Sequence, residues 1–228
     1  MNNIKVTLLH QTPLYIASNG ARTCWASQDK SDTVNNAIGP KDLELLDRVG
    51  NKFHHASILE HITFNFFIDG ISRACLQELA RHRIASLSVK SSRYTLKELK
   101  AESAFVENYG HLLINDSNEY ISTSGTLASK FLFITGNSIV DGNSIRALEN
   151  LRLALVDGIS NDIAKYCMPE AYRTQLTWSI NLRSLQNFLF LRTDKTALPE
   201  IQHLAHLIYN SLPTDTKSLL EHCIKDNS

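Results

Sequence analysis

Arg81-His82-Arg83-Ile84-Ala85-Ser86-Leu87-Ser88-Val89-Lys90-Ser91-Ser92-Arg93-Tyr94 carries three arginines, a lysine, a histidine and four serines in fourteen positions, without one carboxylate. Upstream, Ile62, Phe64, Phe66 and Ile68 alternate with other residues and predict a half-buried strand, which Asp69-Gly70 turns into the next element. Ile71, Cys75 and Leu79 then recur at helical spacing, so a short helix is expected to deliver Arg81 at its C-terminal end. Unpaired carbonyls at such an end attract one or two cations without any ligand. They do not explain the serine- and cation-rich loop that follows. Hydroxyls, backbone amides and guanidinium forks in that density read as a cradle for an anion, best a phosphorylated ligand.

The basic cluster is local. The 228 residues hold 23 Lys and Arg against 23 Asp and Glu, for a formal net charge of zero. No whole-protein field therefore favours nucleic acid or a membrane surface, and a small anion is the better partner. The loop also lacks the interleaved aromatics of a single-strand binder. No apolar run reaches the length of a membrane span, and Met1-Asn2-Asn3-Ile4-Lys5 does not read as a secretory signal, so a cytoplasmic protein is expected. Cys24, Cys75, Cys167 and Cys223 are scattered and expected as reduced thiols. Among nine histidines, His54, His55 and His61 lie close together, but no His-Glu-x-x-His or Cys/His ligand spacing is present and no metal site is expected. There is no Gly-x-Gly-x-x-Gly, so a dinucleotide would not be held by a Rossmann turn.

Further periodicities complete an expected α+β chain, one domain over residues 1–228, with a small mostly antiparallel sheet and several helices. Ile4 to Leu9 and Arg173 to Asn181 read as strands. Pro40 opens a helix with Leu43, Leu46 and Phe53 on one face, ended by His54 and His55. Residues 95 to 119 read as a peripheral helix plus a loop, and Gly136 to Gly142 as a second loop. From Ser144, the residues Ile145, Leu148, Leu151, Leu155, Ile159 and Ile163 mark a helix of about twenty residues. Helices are also expected over Pro199 to Leu212 and Thr214 to Lys225. Asn181 to Arg192 is apolar over most of its circumference, which predicts burial on several sides, as at a subunit interface.

Three segments together resemble the flavin-dependent thymidylate synthases. The first is Arg81-His82-Arg83, seven residues, a serine, and Arg93-Tyr94. The second, His55-Ala56-Ser57-Ile58-Leu59-Glu60-His61, is similar to that family's His-x-Thr/Ser-x-x-Glu-His element. The third, Asn181-Leu182-Arg183-Ser184-Leu185-Gln186-Asn187-Phe188-Leu189-Phe190-Leu191-Arg192, resembles its Asn-x-Arg-Ser-x-x-Asn-Phe-x-x-x-Arg helix. The order and spacing match the family over most of residues 20 to 200.

The resemblance implies methylation of dUMP to dTMP, with 5,10-methylenetetrahydrofolate as carbon donor and FAD reduced by NADPH as hydride source. No enzyme cysteine acts as nucleophile in that scheme; the rival reading, Cys167 as nucleophile, lacks a basic partner beside it. For FAD the matching positions are His55, Ser57, Arg81, His82, Arg83, Val89, Asn181, Arg183 and Asn187, and family members also carry a small polar residue near Cys24. For the nucleotide they are Glu78, Arg81, Val89, Lys90, Ser91, Ser92, Arg93, Lys165 and Arg192. Arg192 matches the position credited with favouring the electron-rich pyrimidine, and a planar, permanently charged guanidinium suits that task. Ser91 is expected to bind rather than attack, since no base is evident beside it. Three positions depart from the family: Lys165 replaces an arginine, Glu78 a glutamine and Val89 a frequent glutamate.

Helix geometry adds an expectation. Arg183 and Asn187 lie about 40° apart on a helix and share a face, whereas Arg192 lies about 180° from Arg183. Sites shared between chains of the family's homotetramer, with a helix-rich interface, would reconcile the three.

Overall fold

The computed structural model describes residues 4–106 and 127–225. Four strands form one sheet in the order β1-β2-β4-β3: β1 is Lys5–Gln11, β2 Thr63–Ser72, β3 Ala85–Val89 and β4 Arg173–Asn181. β1 and β2 run antiparallel, from Lys5 opposite Asp69 to Gln11 opposite Phe64, with an irregularity between Leu8 and His10. The helices are α1 (Tyr15–Cys24), α2 (Pro40–Leu46), α3 (Arg73–Ala80), α4 (Ser92–Thr95) and α5 (Lys97–Lys100), followed by α6 (Ser138–Val156), α7 (Asn161–Ala164), α8 (Leu182–Arg192), α9 (Pro199–Asn210) and α10 (Thr214–Ser218). None of these helices is long and apolar enough to cross a membrane.

The contacts divide into two compact units. The first comprises residues 70–77 and 89–175, of which 107–126 lie outside the described residues. Its core gathers Leu96 and Leu99 from α4–α5, Phe105, Leu132, and Ile145, Leu148, Leu151 and Leu155 from α6. The second comprises residues 4–69, 78–88 and 176–228, with 226–228 outside the described set. In it the alternation read from the sequence is realised: Ile62, Phe64, Phe66 and Ile68 are all fully buried. Phe64 stacks on Phe66 with centroids 5.9 Å apart, Phe66 meets Trp178 of β4 at 6.0 Å, and Trp178 meets Phe188 of α8 edge-on at 5.1 Å. This aromatic row ties sheet to helix and contributes beyond simple area burial.

Several expectations are corrected. Asp69-Gly70 does not turn the chain: β2 runs on to Ser72, with Gly70 at φ 87, a conformation glycine adopts without a Cβ clash. The serine-rich loop after Arg83 is partly the edge strand β3. Phe53 is 61% exposed and leaves the face of Leu46, because α2 widens into a π-helical turn over Asp47–Lys52 that shifts the phase. Gly50 allows that turn to sit close to Leu59, whose side-chain carbons lie 2.9–3.0 Å from where a Cβ would be. The long helix begins at Ser138, inside the expected loop. Asn137 caps it by accepting from the Ile139 and Val140 N–H groups, while Asp141 accepts from Thr135 and Gly136. It ends at Val156, near Gly158 at φ 87, and Ile159 and Ile163 fall outside it. The last helix is short, ending at Ser218. In the peripheral segment over 95 to 119, the described residues hold the end of α4, then α5, then a non-helical stretch to Val106 in which Phe105 and Val106 are buried; residues 107 to 119 lie outside the described set.

Candidate active site

The aromatic row ends at the signature. Phe188 meets the His82 ring edge-on, 4.9 Å between centroids, and His82 is 6% exposed. The helix α3 stops at Ala80, and the His82 N–H closes onto the Leu79 carbonyl at 3.1 Å. Arg81 to Ile84 is therefore a turn, and Ile84 at its end has φ 59. A β-branched residue in that region stores strain of ~1–3 kcal/mol, which the surrounding structure must hold. On a continuing helix Arg81 and Arg83 would point apart; on this turn both line one cavity.

That cavity, of about 670 Å³, is lined by Arg81, His82, Arg83 and Ile84 of the turn and by Arg183, Ser184, Asn187, Leu191 and Arg192 of α8. Its size falls in the range of small-molecule sites. Arg81 and Arg83 are exposed and have no carboxylate partner among the described residues. Arg183 donates to Glu60 at 2.6 Å, an exposed pair that leaves most of its fork free. The lining is thus rich in guanidinium groups and matched to an anion.

Arg192 is held differently. Its Nε donates to His82 Nε2 at 2.8 Å, one terminal nitrogen lies 2.9 Å from the Glu78 carboxylate, and the other lies 3.4 Å from the Glu78 carbonyl oxygen. Because Nε2 of His82 accepts, the ring is neutral with its proton on Nδ1. Burial, reinforced by the Arg192 charge, lowers its pKa from 6.5 to about 4, against the pull of Glu78.

The expected phosphate residues belong to the first unit. Ser91 precedes α4 and makes no side-chain cap, leaving its hydroxyl uncommitted there. Val89 closes β3 half-buried, and Ser92 opens α4. Lys90 pairs with Glu98 at 3.2 Å, and Arg93 with Asp162 at 2.7 Å. Lys165 lies in a 3-10 turn with its ammonium 6.0 Å from the Tyr166 ring centre. Cys167 is a free, exposed thiol in the same turn.

Other expected residues lie outside the cavity lining. His55 and Ser57 are exposed at the 3-10 turn Ala56–His61, which packs against α8. Asn181 is the N-cap of α8, accepting from the Ser184 N–H at 2.8 Å. The expectation that one helix cannot send Arg183, Asn187 and Arg192 into a single site is also corrected, and with it goes the geometric reason for sites shared between chains. The helix stays intact to Arg192, yet all three line the same cavity, since the long Arg192 side chain reaches the signature turn. Ile84, Ser184 and Leu191 complete the lining. Glu60, the Arg183 partner, was visible only as a letter in a motif.

The family model described as thymidylate synthase complementing protein matches residues 7–214. A flavin-dependent thymidylate synthase of Wolinella succinogenes is 54% identical over 214 residues, 94% of this chain and 96% of that protein. One from Campylobacter jejuni (strain RM1221) is 52% identical over 221 residues, 97% and 98% of the two chains. The crystal structure of thymidylate synthase X from Helicobacter pylori with FAD and dUMP superposes with a TM-score of 0.86 at 48% identity, covering 98% of this chain and 100% of that one. Likeness at that level, over nearly the whole length, carries the family with it: the chain is an enzyme of the thymidylate synthase complementing protein family, the flavin-dependent thymidylate synthases.

Proposed function

We propose that this enzyme converts dUMP to dTMP, taking the carbon from 5,10-methylenetetrahydrofolate and reducing equivalents from NADPH through FAD. The observation that carries the reading is the convergence of Arg81, Arg83, Arg183, Asn187 and Arg192 on one cavity. That donor set fits a flavin dinucleotide: unpaired guanidinium forks suit a pyrophosphate, and the Asn187 amide adds a donor and an acceptor. Arg81, Arg83, Arg183 and Asn187 would hold it, with His55, Ser57, Val89 and Asn181 contributing from their own elements, while His82 lines the same cavity with its Nε2 engaged by Arg192. When bound and reduced, FAD supplies the hydride that completes the methyl group.

Arg192 faces the pyrimidine and stabilises its N3-deprotonated form, which makes C5 a better nucleophile without a cysteine adding at C6. Ser91, Ser92 and Arg93, with Lys90 and Lys165, take the phosphate. The Arg93–Asp162 pair is exposed and worth ~0–1 kcal/mol, so a phosphate displaces Asp162 at small cost. Lys165 adds a point charge without a bidentate fork. Glu78, as a carboxylate, contributes acceptors only, and Val89 its backbone. The enzyme works in the cytoplasm as a homotetramer with a helix-rich interface. The half-exposed Phe190 and Leu191 of α8 support that assembly.

The test is release of tritium from 5-tritiated dUMP by the purified protein, with flavin absorbance recorded. Release that requires NADPH and methylenetetrahydrofolate, from a yellow protein, is expected. A colourless protein with no release under these conditions overturns the proposal.

A further inference from the structure

Arg192 ends α8 and meets the end of α3 across 110 positions of sequence. Its guanidinium carries five N–H groups. Nε donates to His82 at 2.8 Å and Nη2 to the Glu78 carbonyl oxygen at 3.4 Å, while Nη1 forms an ion pair with the Glu78 carboxylate at 2.9 Å. We infer that His82 and Glu78 are positioning residues that clamp the Arg192 guanidinium, so that the N–H groups they leave free are held in a fixed orientation for the planar acceptor edge of the pyrimidine.

The clamp is itself held. The His82 ring is wedged edge-on against Phe188, 4.9 Å between centroids and 81° between planes, and Phe188 is in turn packed on Trp178. The imidazole therefore cannot swing out without disturbing the core. A neutral ring also accepts from the guanidinium without opposing its charge. Glu78 sits in the last turn of α3 and compensates the Arg192 charge from the other side. An arginine fixed before the ligand arrives avoids the ordering cost a mobile one would incur on binding. The role differs from direct contact with FAD, because His82 acts through Arg192.

This inference rests on Arg192 facing the pyrimidine, and a double-mutant cycle separates the two claims. The dUMP dissociation constant is measured by equilibrium dialysis, with flavin content by absorbance, for the parent, His82→Leu, His82→Gln, Arg192→Ala and the His82→Leu, Arg192→Ala double variant. His82→Leu should weaken dUMP binding about tenfold while flavin content holds, as expected for a lost hydrogen bond to a charged group. His82→Gln, whose side-chain oxygen can accept from Nε, should recover most of that loss. In the Arg192→Ala background His82→Leu should add nothing. An equal loss in both backgrounds, a His82→Gln protein as weak as His82→Leu, or flavin loss with unchanged dUMP binding overturns the clamp. Unchanged dUMP binding by Arg192→Ala overturns the assignment of Arg192 and the clamp with it. Should His82→Leu fail to fold, His82→Ala enters the same cycle with the same expectations.

Discussion

Replacing His82 by glutamine should flatten the acid side of the stability profile. His82 is buried and neutral, and its pKa falls from 6.5 to about 4 in the folded protein. A histidine depressed in this way leaves stability intact above the unfolded pKa and loses it as pH falls, because only the unfolded chain takes up the proton. The window is therefore pH 6.5 down to about 4. One unit of pKa is worth ~1.4 kcal/mol, so the parent should lose ~2 kcal/mol from this group between pH 6.5 and about 5, and ~3 kcal/mol by about pH 4. Glutamine does not titrate and can still accept from Arg192. Urea unfolding of parent and variant at about pH 7 and about pH 5 isolates the effect, since every other titrating group is common to both. The parent's midpoint should fall further than the variant's by ~1 M, at a slope of ~2 kcal/mol per M. Equal pH shifts for the two proteins would refute the buried neutral histidine.

Asp42 accepts from Arg22, Ser31 and Thr33 in a buried site, where these bonds outweigh burial and hold its carboxyl below the usual range. Asp42→Asn should therefore leave the buried Arg22 charge without its counter-charge and cost ~3–5 kcal/mol, read as a drop of about 10 °C or more in melting temperature; a drop of a degree or two would contradict the network. Gly50→Ala presses a methyl into Leu59 and should cost ~1–3 kcal/mol by the same assay, with no loss expected only if the π-helical turn is absent. Ser91→Ala should weaken dUMP binding about tenfold or more while methylation persists at saturating substrate. Inactivity with unchanged affinity would make Ser91 a reacting group.

What could be read from the sequence follows from where the physics is local. β2 was legible because Ile62, Phe64, Phe66 and Ile68 face one core at a two-residue period, and α8 because its motif and its cap, Asn181, are contiguous. The helix α1 left no comparable trace: its buried face is Ala17, Ser18, Ala21 and Arg22, small or charged residues that no apolar stripe reveals. The start of α6 was hidden for a related reason, since Asn137 and Asp141 organise it through hydrogen bonds rather than apolar spacing. The candidate site was legible as a set of residue types drawn from three motifs. Its arrangement was not, because a single long side chain, Arg192, overrides the angle at which its Cα leaves the helix. Nor does any local pattern announce that His82 and Glu78 meet it from the far end of another helix.

The proposed action of Arg192 on the pyrimidine, and not on the flavin, is put to the test by Arg192→Lys. Lysine keeps the charge but loses the planar fork and the Nε–H bond to His82. Turnover, measured alongside flavin content, should fall about a hundredfold or more with the flavin retained. A flavin-loaded Arg192→Lys enzyme that turns over within a few-fold of the parent would contradict the account.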